Sequence, residues 1–450
     1  MSIITKVGAA IQRLFGKVSE AAAEKSGVIE RKRKFTASTL LQTFVLGFLK
    51  NPKASDEDLA QMAVQCGVEV TPQAIEQRHS QKLVTFLQEV FQEGAKMAIG
   101  SDQALAPILE RFSSVPITDG STVCLPDSMQ KEFAGCGGSY DSGKAAMKLQ
   151  TELELRSGAV TVKVEQGRSP DGATSRQHER HGKGSLSIKD LGYFNLDVFE
   201  EQDAAEEYYL SRLQFGTDVR LRNGDEADGE APDGQALDLL SWLAKQPGPF
   251  VDQQIYMGKE KNLESRLIAW RLPKEQADRR RQKLRDTLKK KGREPSAERL
   301  AWCDWTILVT NTPVELLTPP EAAVLYRARW QVELLFKRWK SLNLVAVLSG
   351  STDVRQMVRV WARLIMSLVQ HWLVIAGAWG DPTKSLSKAC QATRDFAGRL
   401  AASLLNSLAL EQVISDLCKI HKKTCKRNKR SKPGTFEMLN DIGLLDFCLT

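Results

Sequence analysis

YRARWQVELLFKRWK, residues 326–340, carries four chemically distinctive side chains at fixed intervals. Tyr326, Arg329, Glu333 and Lys340 lie at offsets of 0, 3, 7 and 14 residues from the tyrosine. At about 100° per residue of an α-helix, the four side chains fall within an arc of roughly 60°. The stretch therefore predicts a helix face that carries one carboxylate, two cations and one phenol.

The apolar residues around this face occupy a separate side of the predicted helix, which can pack on a core. They are Val324, Val332, Leu335, Phe336 and Trp339. A lone acid among phosphate-binding donors is typical of a metal ligand beside a polyanion. The alternative is a solvated face with routine i,i+4 ion pairs, and the spacing alone does not separate the two.

Basic residues are clustered along a chain whose overall charge excess is mild. The 450 residues include 63 Lys and Arg against 55 Asp and Glu, a formal net charge of +8. Residues 278–293 hold nine basic and two acidic side chains, residues 421–432 hold seven basic and no acidic ones, and Arg31–Lys34 is a third patch. Such clusters favour a phosphate backbone as partner, with ordinary soluble surface as the alternative for any one of them.

Eight cysteines are scattered along the chain without a CxxC pair or a secretory leader, which predicts a reducing cytoplasm. The longest apolar run, Leu364–Trp379, is interrupted by Gln370 and His371 and is shorter than a bilayer span. It predicts a buried helix rather than a membrane partner, with His371 as a core histidine that has hydrogen-bond partners.

Residues 1–110 have a helical pattern. Ser55 predicts a helix start, Gly67 predicts the end of that helix, and Thr71 before a proline predicts the next start. Helix, short turn and helix is the outline of a helix-turn-helix, and equally of a plain helical hairpin. We predict a helical DNA-binding domain over 1–110 whose removal leaves the remaining fold intact.

From residue 115 the hydrophobic period changes to strand alternation. The predicted elements are a strand over 115–119 and, after a turn, a further apolar run over 122–125. They continue with a hairpin over 149–155 and 160–164, a helix over 172–183, a strand over 186–190, a helix over 196–206 and a strand over 208–213. Asp119 and Asp190 each end an alternating apolar stretch, and Asp119-Gly120 is also a turn signal. By analogy, this order predicts an α/β, ribonuclease-H-like fold in which acids of the first and fourth strands converge with one from a late helix.

The segment over about 214–318 is too long for a loop in a compact domain. We predict that it is a β-rich insertion within a ribonuclease-H-like catalytic domain over 111–345, and that its basic helix 278–293 follows DNA backbone. The region 346–450 is predicted to be helical, with a basic tail, and is a candidate dimerisation element.

A family resemblance rests first on the run Tyr326-x2-Arg329-x3-Glu333-x6-Lys340. It resembles the Y-R-E-K motif of DDE transposases encoded by bacterial insertion sequences, in the group typed by insertion sequence four that includes the transposon Tn-five enzyme. Four fixed residue types over fifteen positions make the motif specific.

Three further stretches carry the same resemblance, which covers about 115–345. DGST at 119–122 resembles the family's first-aspartate motif, and Asp190 in IKDLGYF resembles its second. WTILVTNTPVELL, which begins at Trp305, resembles the corresponding stretch of the Tn-five enzyme.

The resemblance implies that Asp119, Asp190 and Glu333 are catalytic and bind two Mg²⁺ ions, for which Mn²⁺ can substitute. Other acids compete for the two aspartate positions: Asp127 for the first, and Asp171, Asp197 and Asp203 for the second. The strand pattern and the LGYF sequence favour Asp190 as the second.

The resemblance also implies roles in binding DNA. Arg329 and Lys340 would hold phosphates beside the scissile bond, and Tyr326 would donate a hydrogen bond to one. Trp305 would stack on a base flipped out of the transposon end. The alternative for Trp305 is a core tryptophan, because Ile307 and Val309 share its strand face.

A protein of this family would bind double-stranded DNA, both transposon ends and target, as a homodimer in the bacterial cytoplasm and nucleoid. It would cleave and hairpin the ends and join 3′-hydroxyls to target DNA. One alternative is a catalytically silent DNA-binding regulator or inhibitor derived from a transposase. Another is a ribonuclease-H-like nuclease without strand transfer.

Overall fold

A computed structural model describes residues 1–29, 34–102, 104–137, 144–222, 236–428, 433–441 and 443. Its strands are β1 (Pro116–Leu125), β2 (Ala145–Glu154), β3 (Val160–Gln166), β4 (Leu186–Lys189), β5 (Tyr208–Arg212), β6 (Val219–Leu221), β7 (Val251–Met257), β8 (Leu263–Arg271) and β9 (Trp305–Thr310). Strands and helices alternate through the middle of the chain, which makes this a mixed α/β protein.

The helices before the last strand are α1 (Ile3–Arg13), α2 (Ser19–Ser26), α3 (Ala37–Lys50), α4 (Asp56–Gln65), α5 (Pro72–Glu76), α6 (Gln81–Gly94), α7 (Leu196–Ala204), α8 (Leu239–Leu243), α9 (Lys274–Lys289) and α10 (Ala297–Trp302). Those after it are α11 (Pro319–Ala328), α12 (Trp330–Lys337), α13 (Asp353–Ala378), α14 (Leu386–Arg394), α15 (Ala397–Ser403), α16 (Ser407–Thr424) and α17 (Thr435–Asn440).

The chain forms two compact units, each built from segments that are distant in sequence. Unit 1 comprises Met1–Leu105, Asp119–Ser169 and Gln331–Lys429. Unit 2 comprises Ala106–Thr118, Pro170–Trp330 and Arg430–Thr450. The boundary between Thr118 and Asp119 falls within β1, so this strand contributes residues to both units.

Helix α13 is the central helix of unit 1, where it packs against α1, α3, α6 and α16. By length and apolar character α13 could cross a membrane, but 94% of its apolar window is buried inside the protein. The prediction of a buried helix is confirmed. His371 on α13 is buried and its Nε2 lies 2.8 Å from the Gly158 carbonyl oxygen, as expected of a core histidine with a partner.

The predicted hairpin of unit 1 is formed by β2 and β3, which pair antiparallel with Leu149 opposite Val164. Gly158 lies in its turn with φ of 76°, a left-handed conformation that favours glycine. A Cβ atom on Gly158 would lie 2.6 Å from the ring of Trp379. The turn and the α13 region therefore pack without space for a side chain at this position.

In unit 2 the first residues of β1 pair in parallel with β4, with Ile117 opposite Ile188 and Thr118 opposite Lys189. Strand β5 pairs in parallel with β4 and antiparallel with β9. Strands β8, β7 and β6 continue from β9 in antiparallel order. All of β6–β9 come from the segment 214–318 that the sequence predicts to be β-rich.

Two local predictions are wrong. The Asp119-Gly120 dipeptide is not a turn, because β1 continues through it to Leu125; the paired residues before it keep the backbone extended. The predicted helix over 172–183 is replaced by two short 3₁₀ turns, Asp171–Ala173 and Ser175–His178. That segment is polar and contains glycines, and it has no apolar stripe with which a helix could pack.

The single regular helix predicted around residues 326–340 is also interrupted. Helix α11 ends before Arg329, α12 follows, and a π-helical turn covers Arg338–Leu342. Both Arg338 and Trp339 are buried in that wider turn. A π turn does not keep the 100° phase of an α-helix on which the predicted face depends.

The helix-turn-helix outline is only partly matched. Helix α4 begins after Ser55 with a capping box, as predicted, but α5 is only five residues long. Residues 31–33, 223–234 and 429–432, which include parts of two predicted basic patches and an acidic loop, lie outside the described residues.

Candidate active site

A cleft of about 250 Å³ opens in unit 2 where β4 ends. Its lining combines one carboxylate with four guanidinium groups. Its lining includes Asp190, Arg212, Arg280, Tyr326, Arg329 and Trp330. An excess of guanidinium groups over carboxylates makes the cleft suited to an anionic ligand.

Asp190 follows the last residue of β4 and begins a short 3₁₀ turn. Its side chain is 44% exposed, and its Oδ1 lies 3.8 Å from Nε of Arg329, whose side chain is 16% exposed. The buried Lys189 anchors the strand end by donating from Nζ to the Gln177 carbonyl, 3.0 Å away. The strand thus presents Asp190 to the cleft beside a partly buried guanidinium.

Tyr326 and Arg329 reach the cleft from the end of α11. That helix starts at a capping box in which Glu321 accepts from the Thr318 backbone N–H at 2.8 Å, and Glu321 also pairs with Arg111 at 2.9 Å. Burial, and then the negative charge of Asp190, raise the pKa of Tyr326 above its ordinary value. The phenol therefore stays protonated at neutral pH and can donate a hydrogen bond.

Unit 1 holds the other residues predicted for the site. Asp119 is half-buried in β1, and its Oδ1 accepts from the Gly120 N–H at 2.8 Å. Lys340 donates from Nζ to the Thr122 carbonyl at 2.6 Å, so the turn after α12 contacts the strand that carries Asp119. Burial lowers the pKa of Lys340. Glu333 is half-buried on α12.

The donor chemistry of the three predicted carboxylates suits a hard divalent cation, which prefers oxygen ligands. Among the residues that the structure describes, no three or more His, Cys, Asp or Glu side chains are gathered closely enough to hold a metal ion. Mg²⁺ usually takes one or two protein carboxylates and completes its shell with water and substrate phosphates. A metal held by Asp119, Asp190 and Glu333 therefore stays a prediction.

The other candidates for the second catalytic aspartate lie outside the cleft. Asp197 pairs with Lys261 at 2.7 Å with a side chain 65% exposed, and Asp203 accepts from Asn311 at 2.8 Å. Of these and Asp171, none lines the cleft.

Trp305 is partly buried and packs against the same hydrophobic cluster as Ile307 and Val309. Its neighbour Thr306 lines the cleft instead, as the alternation of a strand requires. This position corresponds to the core alternative weighed from the sequence, and the stacking role of Trp305 stays a prediction. Among the described residues, two indoles line the cleft, those of Trp270 and Trp330. Trp270 is buried, whereas Trp330 is 58% exposed.

Sequence reasoning missed Arg212, Arg280 and Trp330 as cleft residues. Arg280 belongs to the basic helix 278–293, which the sequence predicts to follow DNA backbone, yet its Nη1 donates to the Trp305 carbonyl at 3.0 Å. Charge clustering does not show which member of a basic run turns inward. The weak apolar signal of Ala277 and Leu288, both buried on α9, indicates the packed side of that helix.

A mixed α/β protein with a carboxylate at a strand end and arginines around it is suited to act on a polyanion. The model of the transposase DDE domain family matches residues 110–369, more than half of the chain. The chain belongs to this family.

Named relatives agree with the family. The transposase for insertion sequence element IS231B of Bacillus thuringiensis subsp. berliner is 29% identical over 77% of this chain and 74% of its own length. The transposase for insertion sequence element IS1151 of Clostridium perfringens is 26% identical over 78% and 76%. The putative transposase InsL for IS186A of Escherichia coli K12 is 41% identical over 17% and 21%. The protein is therefore a DNA-processing transposase of the insertion-sequence kind.

Proposed function

We propose that this protein is a cut-and-paste transposase of the insertion-sequence-four type, related to the transposon Tn-five enzyme. It would bind the terminal inverted repeats of its element, cleave and hairpin the ends, and join 3′-hydroxyls to target DNA. The observation that supports the proposal is the unit 2 cleft, which is lined by Asp190, Arg329 and Tyr326, three residues to which the family resemblance assigns roles.

Strand pairing supports a ribonuclease-H-like core. Strands β2 and β3 are antiparallel, whereas β4 is parallel to both β1 and β5. Thr118 and Lys189 are register partners, and Asp119 and Asp190 are the residues that follow them along the chain. This register favours the proposal that the two aspartates act on one substrate.

Asp119, Asp190 and Glu333 would hold two divalent ions, most simply Mg²⁺, with Mn²⁺ able to substitute. The ions would supply an activated nucleophile and charge neutralisation at the leaving oxygen. That Glu333 joins the two aspartates is part of the proposal, which rests on family membership and on the motif.

The remaining motif residues would orient the DNA. Arg329 is partly buried, so it can bind a phosphate with little competition from water. Tyr326 keeps its proton and can donate to a phosphate oxygen. Lys340, which contacts the β1 backbone, would hold a phosphate beside Asp119. The family resemblance implies that Trp305 would stack on a flipped base, and the exposed Trp330 is a second candidate for this role.

Double-stranded DNA is the proposed partner, as ends and as target, and a homodimer would bring two ends together. The exposed basic residues of α9 support contact with the DNA backbone. We place the protein in the bacterial cytoplasm with the nucleoid, where its substrate is.

The proposal predicts that Glu333→Gln abolishes cleavage. With Mg²⁺ and duplexes that carry the element ends, the rate should fall more than about a hundredfold, because a metal-binding carboxylate is lost. Binding of the same duplexes, measured without metal, should persist. The matched control is Glu315→Gln, at an exposed glutamate, which should cleave like the wild type. Equal cleavage by both variants would contradict the catalytic assignment of Glu333. A wild-type protein that binds these duplexes but does not cleave them would favour the silent-regulator alternative.

A further inference from the structure

A second pair of cations lines the unit 2 cleft apart from the Arg329–Asp190 pair. Arg212 enters from the end of β5, and Arg280 enters from α9, in the segment between the catalytic strands and α11. Neither arginine belongs to the Y-R-E-K motif. Both are half-buried, so their charges are screened less than those of surface residues.

The guanidinium of Arg280 is held in place by neutral acceptors. Its Nη1 donates to the Trp305 carbonyl at 3.0 Å, and its Nη2 donates to Thr306 Oγ1 at 3.1 Å. These two bonds leave further N–H donors of the five in a guanidinium. The neighbouring Arg281 differs, since it pairs with Asp278 at 2.7 Å and also with Asp304.

Within the described part of the chain, no carboxylate lies at ion-pair distance from Arg212 or Arg280. Burial, and then the positive charge of Arg212, lower the pKa of Arg280 to about 10. The positive charges of Arg212 and Arg280 repel one another, and a phosphate bound at both would remove that cost, since the one carboxylate of the cleft lies beside Arg329.

We propose that Arg212 and Arg280 form a binding pair for a phosphate group of the DNA backbone, separate from the phosphate held by Arg329. The assignment to DNA rests on the proposed function. It also rests on α9 itself, where Arg279, Lys283 and Lys289 are exposed and extend the positive charge beyond the cleft. A small free phosphate would occupy only the cleft, whereas a polyanion would contact both.

The first experiment uses inorganic phosphate as the probe and thermal unfolding of the full-length protein as the readout. At equal ionic strength, replacing chloride with phosphate should raise the Tm of the wild type by about 2–4 °C. Arg212→Gln and Arg280→Gln should lose this increment. The matched control is Arg279→Gln, which removes the same charge from an exposed position of α9 and should keep it.

The second experiment measures binding of a generic duplex as a function of salt, without divalent metal. Arg280→Gln should weaken binding about tenfold and reduce the slope of log K against log salt by about 0.9. Arg280→Lys should keep the slope and recover part of the affinity, because it keeps the charge but not the planar fork.

The outcomes separate the explanations. A merely structural Arg280 would lower the starting Tm of the Gln variant, leave its phosphate increment intact, and overturn the proposal. A lost increment with an unchanged duplex affinity and slope would mean that the site takes free phosphate, which overturns the assignment to DNA. Neither experiment requires cleavage, so a wild-type protein that fails to cleave would refute the proposed function and leave this inference standing.

Discussion

The conformation of single residues could be predicted where a local sequence pattern, such as a hairpin turn, determines it. The hairpin predicted over 149–155 and 160–164 requires a turn between its strands, and Gly158 lies in that turn with a positive φ. Asp190, Tyr326 and Arg329 line one cleft, and the roles that the resemblance gives them stay predictions. Arg212, Arg280 and Trp330 could not be anticipated, because their positions depend on how distant strands and helices pack. The same holds for the buried side of Trp305, where strand alternation supported either role.

Replacing Gly158 should test how tightly its turn packs. Gly158→Ala should lower the free energy of unfolding by about 3 kcal/mol, from left-handed strain and from overlap with Trp379, whose ring lies 2.6 Å from the position of the new Cβ. Urea denaturation followed by tryptophan fluorescence measures the change. Gly67→Ala is the control, because φ there is 78° and nothing lies within 4 Å of its Cβ. The Gly67→Ala variant should lose only about 1 kcal/mol of its free energy of unfolding. Equal losses in the two variants would mean that overlap with Trp379 adds nothing.

Elements were predicted well where amphipathic periodicity was long and regular, as in α13 and the β2–β3 hairpin. The prediction was wrong where polar sequence lacked a packing face, at 172–183, and where the helix of residues 326–340 is broken by its own packing. Arg338 and Trp339 are both buried in the wider π turn, where the constant phase of a helical wheel does not hold. The wheel correctly places Glu333 on a helix, and the face that Tyr326, Arg329, Glu333 and Lys340 share stays a prediction.

The packing of α13 and α16 makes stability depend on pH. His371 on α13 and His421 on α16 are buried, and burial lowers the pKa of each to about 4. The folded-state pKa lies below the unfolded value of about 6.5, so their contribution is complete above pH 6.5 and is lost as the pH falls toward 4. At pH 5 each histidine should lower the free energy of unfolding by about 2 kcal/mol relative to its value at neutral pH.

Urea midpoints at pH 7 and pH 5 measure this dependence. His371→Gln keeps a donor for the Gly158 carbonyl and should reduce the loss between the two pH values. The control is His178→Gln, whose imidazole is 55% exposed and should leave the loss unchanged. A wild type equally stable at both pH values would refute the argument.

The whole molecule could be predicted as an α/β transposase, but not the way in which its chain is shared between compact units. Composition suggested that the N-terminal helices form a separable domain. In unit 1, however, α1, α3 and α6 pack on α13, which lies more than two hundred residues later. Such long-range packing has no local signature in sequence, because helix faces do not specify their partners.

We therefore expect that deleting residues 1–105 exposes the apolar surface of α13. The truncated protein should aggregate or bind a hydrophobic dye, and its near-UV circular dichroism should be lost. A deletion variant that stays soluble with native near-UV dichroism would restore the interpretation of a separable N-terminal domain.

The same sharing of unit 1 between the two ends of the chain has a consequence during synthesis. The helices of residues 1–105 leave the ribosome long before α13, their packing partner, has been translated. At about 5–20 residues per second, the intervening segment takes on the order of 10–50 s. Throughout that interval the early helices hold apolar faces without their partner, which is when chaperones would be needed. A ribosome that stops before α13 releases a chain in which unit 1 cannot be completed, so the early helices of that chain never gain their packing partner.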